Sequence, residues 1–289
     1  MRLLAFLLTC LALSMPVAAE IVRLGDRFYS IDLPANPKGA PLILALHGGG
    51  GDPDQFASSS GFGRDATNAG YAVIFPAGSG RRGERLLTWN SGYCCGYAAR
   101  WNVDDIAFLE KVIEDAAARF GVAGDRVYLT GMSNGSMMAE TFAALNPARV
   151  RAVAGVAGTM DVARYPVKGR VPALIIHGTA DQNVPYDGGV GSSSLSRTDF
   201  ASVDAVVRAF LRPWGGALAT ATRRIDRRDD GTSVAMTDYR KAGDIVLRLI
   251  TVEGGGHQWP GGRKARMTEG KTKEIDANTE ILRFFALFP

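Results

Sequence analysis

Histidine is scarce in this chain. His47, His177 and His257 are the only three in 289 residues, so any imidazole base must be one of them. Cysteine is equally rare, with Cys10, Cys94 and Cys95 as the whole set, which excludes a disulfide-stapled scaffold. Charge of one sign is also lacking. Charged residues make up 21% and the formal net charge is +4. The densest basic run, Arg223, Arg224, Arg227 and Arg228, is interleaved with Asp226, Asp229 and Asp230. That pattern is a solvated mixed-charge face and argues against a nucleic-acid partner. Repeats and Pro/Ser linkers are absent, and no segment after the first residues is apolar enough to cross a membrane.

The first residues read as a targeting signal. Arg2 gives a positive start, Leu3 to Leu13 is an apolar run too short for a stable span, and Pro16 breaks it. Val17-Ala18-Ala19 offers small residues for a signal peptidase, so cleavage is expected after Ala19. Residues 1–19 are then a signal peptide and residues 20–289 a single catalytic domain, secreted to the periplasm or beyond and without stable membrane insertion. Cleavage removes Cys10. Cys94 and Cys95 are left adjacent, either as a small strained ring or as two free thiols.

Hydrophobic residues make up 46%, enough for a large core. Buried strand-like runs at Leu42–Leu46, Ala72–Phe75, Arg126–Thr130, Ala152–Val156, Ala173–Ile176 and Val246–Val252 alternate with helical patterns. The helices are expected at Val103 to Phe120, Gly135–Leu145, Ser202–Leu211 and Ile275–Phe288. This alternation predicts an α/β fold, a mostly parallel sheet with helices on both faces. The stretch Gly188 to Ser194 reads as a flexible surface loop.

Gly131-Met132-Ser133-Asn134-Gly135 fits G-x-S-x-G. In a chain with 35 glycines the pattern alone is weak, but here it joins a strand to a helix. A serine on such a turn is exposed and strained. Its neighbours two residues away must be small, because strand and helix approach closely there. Ser133 is therefore the candidate nucleophile. The glycine run His47-Gly48-Gly49-Gly50-Gly51 follows an early strand and leaves backbone N–H groups unhindered. An oxyanion hole would take one donor from Gly49 (or Gly48) and one from Asn134. In the chain order serine, acid, histidine, His257 is the candidate base. His47 and His177 are assigned to hydrogen bonds that position the site. Asp181, leaving the strand Ala173–Ile176, is the preferred acid, and Asp161, leaving the previous strand, is the alternative.

Several segments together carry a resemblance. They are Leu46-His47-Gly48, Trp89-Asn90-Ser91-Gly92 with Cys94-Cys95-Gly96, Val103-Asp104-Asp105, Gly131 to Gly135, His177 to Asp181, and Gly256-His257-Gln258-Trp259-Pro260-Gly261-Gly262. Along the chain from about Leu42 to Gly262 these segments resemble the polyhydroxybutyrate depolymerase-type esterases. That group takes in feruloyl and acetylxylan esterases of carbohydrate esterase family one. The resemblance implies a secreted α/β-hydrolase without metal or organic cofactor, with its triad on Ser133, Asp181 and His257. The absence of a linker and polymer-binding module after the last helix argues against insoluble polyester as substrate.

Aromatics crowd the Cys94-Cys95 segment as Trp89, Tyr93, Tyr97 and Trp101, and Trp259 follows the base. Such rings can stack on a sugar or a phenolic acyl group. Trp89 and Trp259, beside the motifs, are expected in the substrate pocket. The sequence thus points to a carboxylic ester hydrolase for feruloylated or acetylated polysaccharide fragments or short hydroxyalkanoate oligomers. A serine exopeptidase or an acyltransferase on the same fold are the alternatives.

Overall fold

The computed structural model describes residues 20–81, 83–263 and 272–289. The expected signal peptide, residues 1–19, lies outside the described residues. Strands β1 (Glu20–Leu24), β2 (Arg27–Asp32) and β3 (Pro41–Leu46) open the fold, followed by helices α1 (Pro53–Ser60) and α2 (Phe62–Asn68). Then come β4 (Ala72–Pro76), α3 (Gly96–Arg100), α4 (Asp105–Phe120), β5 (Ala123–Met132), α5 (Asn134–Leu145), β6 (Val150–Val156) and β7 (Ala173–Gly178). The short pair β8 (Gly189–Val190) and β9 (Asp199–Phe200) precedes α6 (Val203–Leu211). Strands β10 (Ala219–Ile225), β11 (Ser233–Lys241) and β12 (Asp244–Glu253) lead to α7 (Ala277–Phe285).

Ten of these strands form one sheet in the order β1-β2-β4-β3-β5-β6-β7-β12-β11-β10. The centre, from β4 through β12, is parallel, while β1, β2, β11 and β10 add antiparallel edges. Alternation along β3 shows why both faces are covered. Leu42, Leu44 and Leu46 join a core with α4, α5 and α6, and Ile43 and Ala45 join another with α1, α2 and α7. The helices begin where the sequence supplies caps. Asp52, Asp104, Ser202 and Asp276 each accept a first-turn backbone N–H through the side chain. Gly121 ends α4 in the left-handed region with φ 67°, which costs glycine nothing.

The expected central strands all form. The edge strands β1, β2, β10 and β11 and the short helices α1, α2 and α3 were not anticipated. The segment read as a flexible surface loop is instead tied down. Gly189–Val190 pairs with Asp199–Phe200, and the Ser193 amide donates to Gln182 O at 2.9 Å. On the mixed-charge face, Arg224 pairs with Glu253 at 2.8 Å. No helix among the described residues is long and apolar enough to cross a membrane.

Candidate active site

Four candidate residues sit just past the C-terminal end of a parallel strand, the sheet edge where this architecture places its sites. His47 follows β3, Ser133 follows β5, Asp181 follows β7 and His257 follows β12. Ser133 adopts φ 56° and ψ −123°, a conformation a non-glycine residue holds only when its surroundings impose it. Its amide donates to Val156 O at 2.9 Å, and α5 begins at the next residue. The flanking glycines are required by close approach. A Cβ at Gly131 would lie 2.5 Å from the Gly135 carbonyl carbon, and one at Gly135 would collide with the Leu46 and His47 carbonyl oxygens.

The glycine run after β3 packs directly against this turn. A Cβ on Gly48 would meet Ser133 Cβ at 3.6 Å, and one on Gly49 would meet Asn134 Cβ at 3.5 Å. Gly50 and Gly51 spend their amides within the loop, on Leu87 O at 2.7 Å and Gly48 O at 3.1 Å. His47 fixes this loop from beneath. Its Nε2 accepts from the Gly78 amide at 3.0 Å, so its Nδ1 carries the proton and donates to Gly48 O at 2.8 Å. Complete burial pushes its pKa down to about 4, against a smaller opposing effect from the Gly48 carbonyl, so the ring is neutral at ordinary pH.

The candidate acid and base are brought together. His257 Nδ1 donates to Asp181 Oδ2 at 2.8 Å, with both side chains almost fully buried. Asp181 Oδ1 accepts from the Asn183 and Val184 amides at 2.9 and 2.8 Å. Burial alone would raise this carboxyl's pKa. Hydrogen bonds from His177 and His257 outweigh it and hold Asp181 well below the usual carboxylate range. The two loops are sewn to each other. Thr179 N donates to Val252 O at 3.0 Å, Ala180 N to Gly255 O at 2.8 Å, and Gly254 N to Thr179 Oγ1 at 2.9 Å. Asp161, the alternative acid, is engaged elsewhere: its Oδ1 accepts from the Arg164 amide at 3.0 Å.

A serine on a strained strand-to-helix turn, a glycine loop against it and an imidazole–carboxylate pair make up the equipment for acyl transfer. A family profile described as Esterase PHB depolymerase matches residues 28–230. The chain belongs to the esterase PHB depolymerase family. The matched stretch includes Ser133 and Asp181 and ends before His257, whose place is given by its bond to Asp181. A Nocardia uniformis subsp. tsuyamanensis protein named as an esterase, NocK, is 32% identical over 85% of this chain and 74% of its own. Feruloyl esterase B of Piromyces equi is 29% identical over 76% of this chain and 40% of its own length. Among solved structures, acetyl xylan esterase from Aspergillus awamori aligns with TM-score 0.62 at 14% identity, covering 94% of this chain and all of that one. TT1662 from Thermus thermophilus aligns with TM-score 0.57 at 19% identity over 95% and 98%. These structures share the α/β-hydrolase fold, and the chain is a hydrolase of carboxylic esters.

In this PHB depolymerase-family esterase the two tryptophans expected in the substrate pocket are both buried. Trp89 is completely buried. Its Nε1 donates to His47 O at 2.9 Å and its ring lies 5.0 Å from the His47 ring. Trp259 is 6% exposed, donates to Asn278 Oδ1 at 2.8 Å and stands edge-on to Phe56 at 5.3 Å. Both indoles are buried and have protein partners for their N–H, which ties the loops that carry them to their neighbours. Between the cysteines the structure places a disulfide. Cys94 is buried in a cluster with Met137 of α5, Val184 of the acid loop and Phe200, and Tyr93 packs alongside.

Three features of the esterase were missed from sequence. The Asn134 side chain clamps the Trp89 backbone, accepting from Trp89 N at 2.7 Å and donating to Trp89 O at 3.0 Å. Arg27 on the unanticipated edge strand β2 meets buried Asp105 at 2.7 Å, and Asp105 also takes the Asn90 amide at 2.7 Å. Glu140 is fully enclosed in α5, bonded by the Met160 amide and Ser136 Oγ, and burial pushes its carboxyl up to about 8. A lone acid among Met137, Met138, Ala139, Phe142 and Ala143 was the signal for it.

Proposed function

We propose that this protein is a serine carboxylesterase working through an acyl-enzyme, with Ser133 as nucleophile, His257 as general base and Asp181 as the acid that orients it. The observation that carries the reading is the 2.8 Å bond from His257 Nδ1 to Asp181. It commits Nδ1 to the carboxylate and leaves Nε2 as the basic nitrogen. Ser133 attacks the ester carbonyl as His257 removes its proton. The resulting oxyanion is held by the backbone amides of Gly49 and Asn134, the second at the opening of α5, where amides lack helical partners. His257 then delivers the proton to the departing alcohol. Water, activated the same way, releases the acid and restores Ser133.

The substrate class follows from what the chain resembles. Relatives named feruloyl esterase and acetylxylan esterase support esters on plant polysaccharide fragments, and the family description supports short hydroxyalkanoate oligomers. The leader-like residues 1–19 support export, so these substrates would be met in the periplasm or outside the cell. Assay of the purified protein on methyl ferulate, p-nitrophenyl acetate, acetylated xylan and hydroxybutyrate oligomers tests the reading. Hydrolysis of p-nitrophenyl acetate with at least one natural ester class is expected. Cleavage of peptide substrates with no turnover of any ester would overturn it.

A further inference from the structure

Asp181 faces two imidazoles, not one. His177, the penultimate residue of β7, points its Nε2 at Asp181 Oδ2 at 3.4 Å, and the same nitrogen donates to Val184 O at 2.8 Å. Both His177 and the Asp181 side chain are buried. Because Nε2 meets a carbonyl oxygen, it carries the proton and can only donate, so the carboxylate receives a shared N–H. His177 Nδ1 is buried and has no partner among the described residues, which fits a bare lone pair there. The two oxygens of Asp181 are thus divided. Oδ1 takes two backbone amides, and Oδ2 is shared by His177 and His257.

We propose that His177 is a positioning residue for ester hydrolysis that competes with His257 for one oxygen of Asp181, fixing the carboxylate as an anion while limiting its pull on the base. The proposal rests on the Ser133–His257–Asp181 reading above. A donor on Oδ2 withdraws charge from that oxygen and makes it a weaker acceptor. With His177 in place, His257 Nδ1 is held, but the imidazolium formed during attack is stabilised less than by an unshared carboxylate. It therefore gives up its proton to the leaving alcohol more readily. His177 also anchors the loop through Val184 O, so one side chain sets both the position and the basicity of the acid. The charged and titratable groups acting on Asp181 are these two imidazoles. Tyr186 stands edge-on to His177 at 5.9 Å with its hydroxyl engaged by Thr251 Oγ1 at 2.9 Å.

The test is the pH profile of kcat/KM on p-nitrophenyl acetate for the full chain, His177→Leu, His177→Gln and Asp181→Asn. Leucine removes the donor, so the acidic limb should move to higher pH by about half a unit, because His257 then holds its proton more firmly. Glutamine restores an N–H near the place of Nε2 and should keep the wild-type limb. An unmoved limb in His177→Leu with Asp181→Asn inactive would overturn the proposal and leave the triad reading standing. An active Asp181→Asn would overturn both. Should His177→Leu fail to fold, imidazole nitrogen shifts of the wild-type protein decide. The Nε2–H tautomer at His177 supports the proposal, and the Nδ1–H tautomer, which cannot donate to Asp181, overturns it.

Discussion

Asp181 and Asp161 leave neighbouring strands, and their hydrogen bonds separate them. Asp181 holds His257, whereas Asp161 holds the turn that ends at Arg164. Asp181→Asn should lower kcat about a thousandfold or more, since an amide lets the imidazole adopt the wrong tautomer. Asp161→Asn should cost less than tenfold, read from initial rates on the same ester. Reversal of the two would move the acid to the loop after β6. Glu140 gives a second contrast at this scale. Its native carboxyl keeps its proton up to about 8, whereas an unfolded one loses it near 4.5. The native state therefore binds more protons between those values, and stability falls as pH rises through that window. Glu140→Gln, which cannot ionise, should raise the melting temperature at pH 8.5 relative to wild type more than it does at pH 5. An equal change at both values would show that ionisation of Glu140 plays no part.

Elements differ in how plainly the sequence announces them, and the reason is burial. Strands β3, β5, β6 and β7 are enclosed on both faces and read as apolar runs. Strand β10, Ala-Thr-Ala-Thr-Arg-Arg-Ile, is exposed at all but its last residue and pairs only with β11, so its register comes from backbone pairing that composition does not encode. Helices α1 and α2 are seven or eight residues long, too short for a periodic stripe. The candidate site was more legible than the fold's edges, since Asp181 and His257, both chosen from the sequence, meet in the structure. Three histidines left little choice of base, and the G-x-S-x-G glycines are sterically fixed. Proximity in sequence to a motif does not say which way a ring faces. Trp89 turns inward to His47, where its N–H finds a carbonyl. The elements around the cysteines give a prediction of their own. Cys94 touches α5, the acid loop and β9 through Met137, Val184 and Phe200. A ring closed between adjacent residues removes little unfolded-state entropy. Replacing both cysteines with serine should therefore raise KM for bulky aromatic esters more than for p-nitrophenyl acetate, with a small change in melting temperature. A large fall in melting temperature with unchanged kinetics would assign the pair to the fold instead.

Across the whole molecule, one sheet carries the site. Its parallel centre brings the ends of β3, β5, β7 and β12 to the same edge, though Ser133 and His257 stand far apart in the chain. Each loop is held by its neighbours: His47 under the glycine run, Asn134 on Trp89, Thr179 between the Asp181 and His257 loops. Such support lets a strained serine persist, because the strain at one residue is opposed by bonds spread over several elements. The central claim, that this scaffold activates Ser133, is tested most directly by covalent labelling with a serine-directed organophosphate, read by peptide mass spectrometry. The account predicts one adduct per chain, on Ser133, with esterase activity falling in step and labelling greatly slowed in His257→Ala. An adduct on another residue that abolishes activity, or full activity in Ser133→Ala, would contradict it.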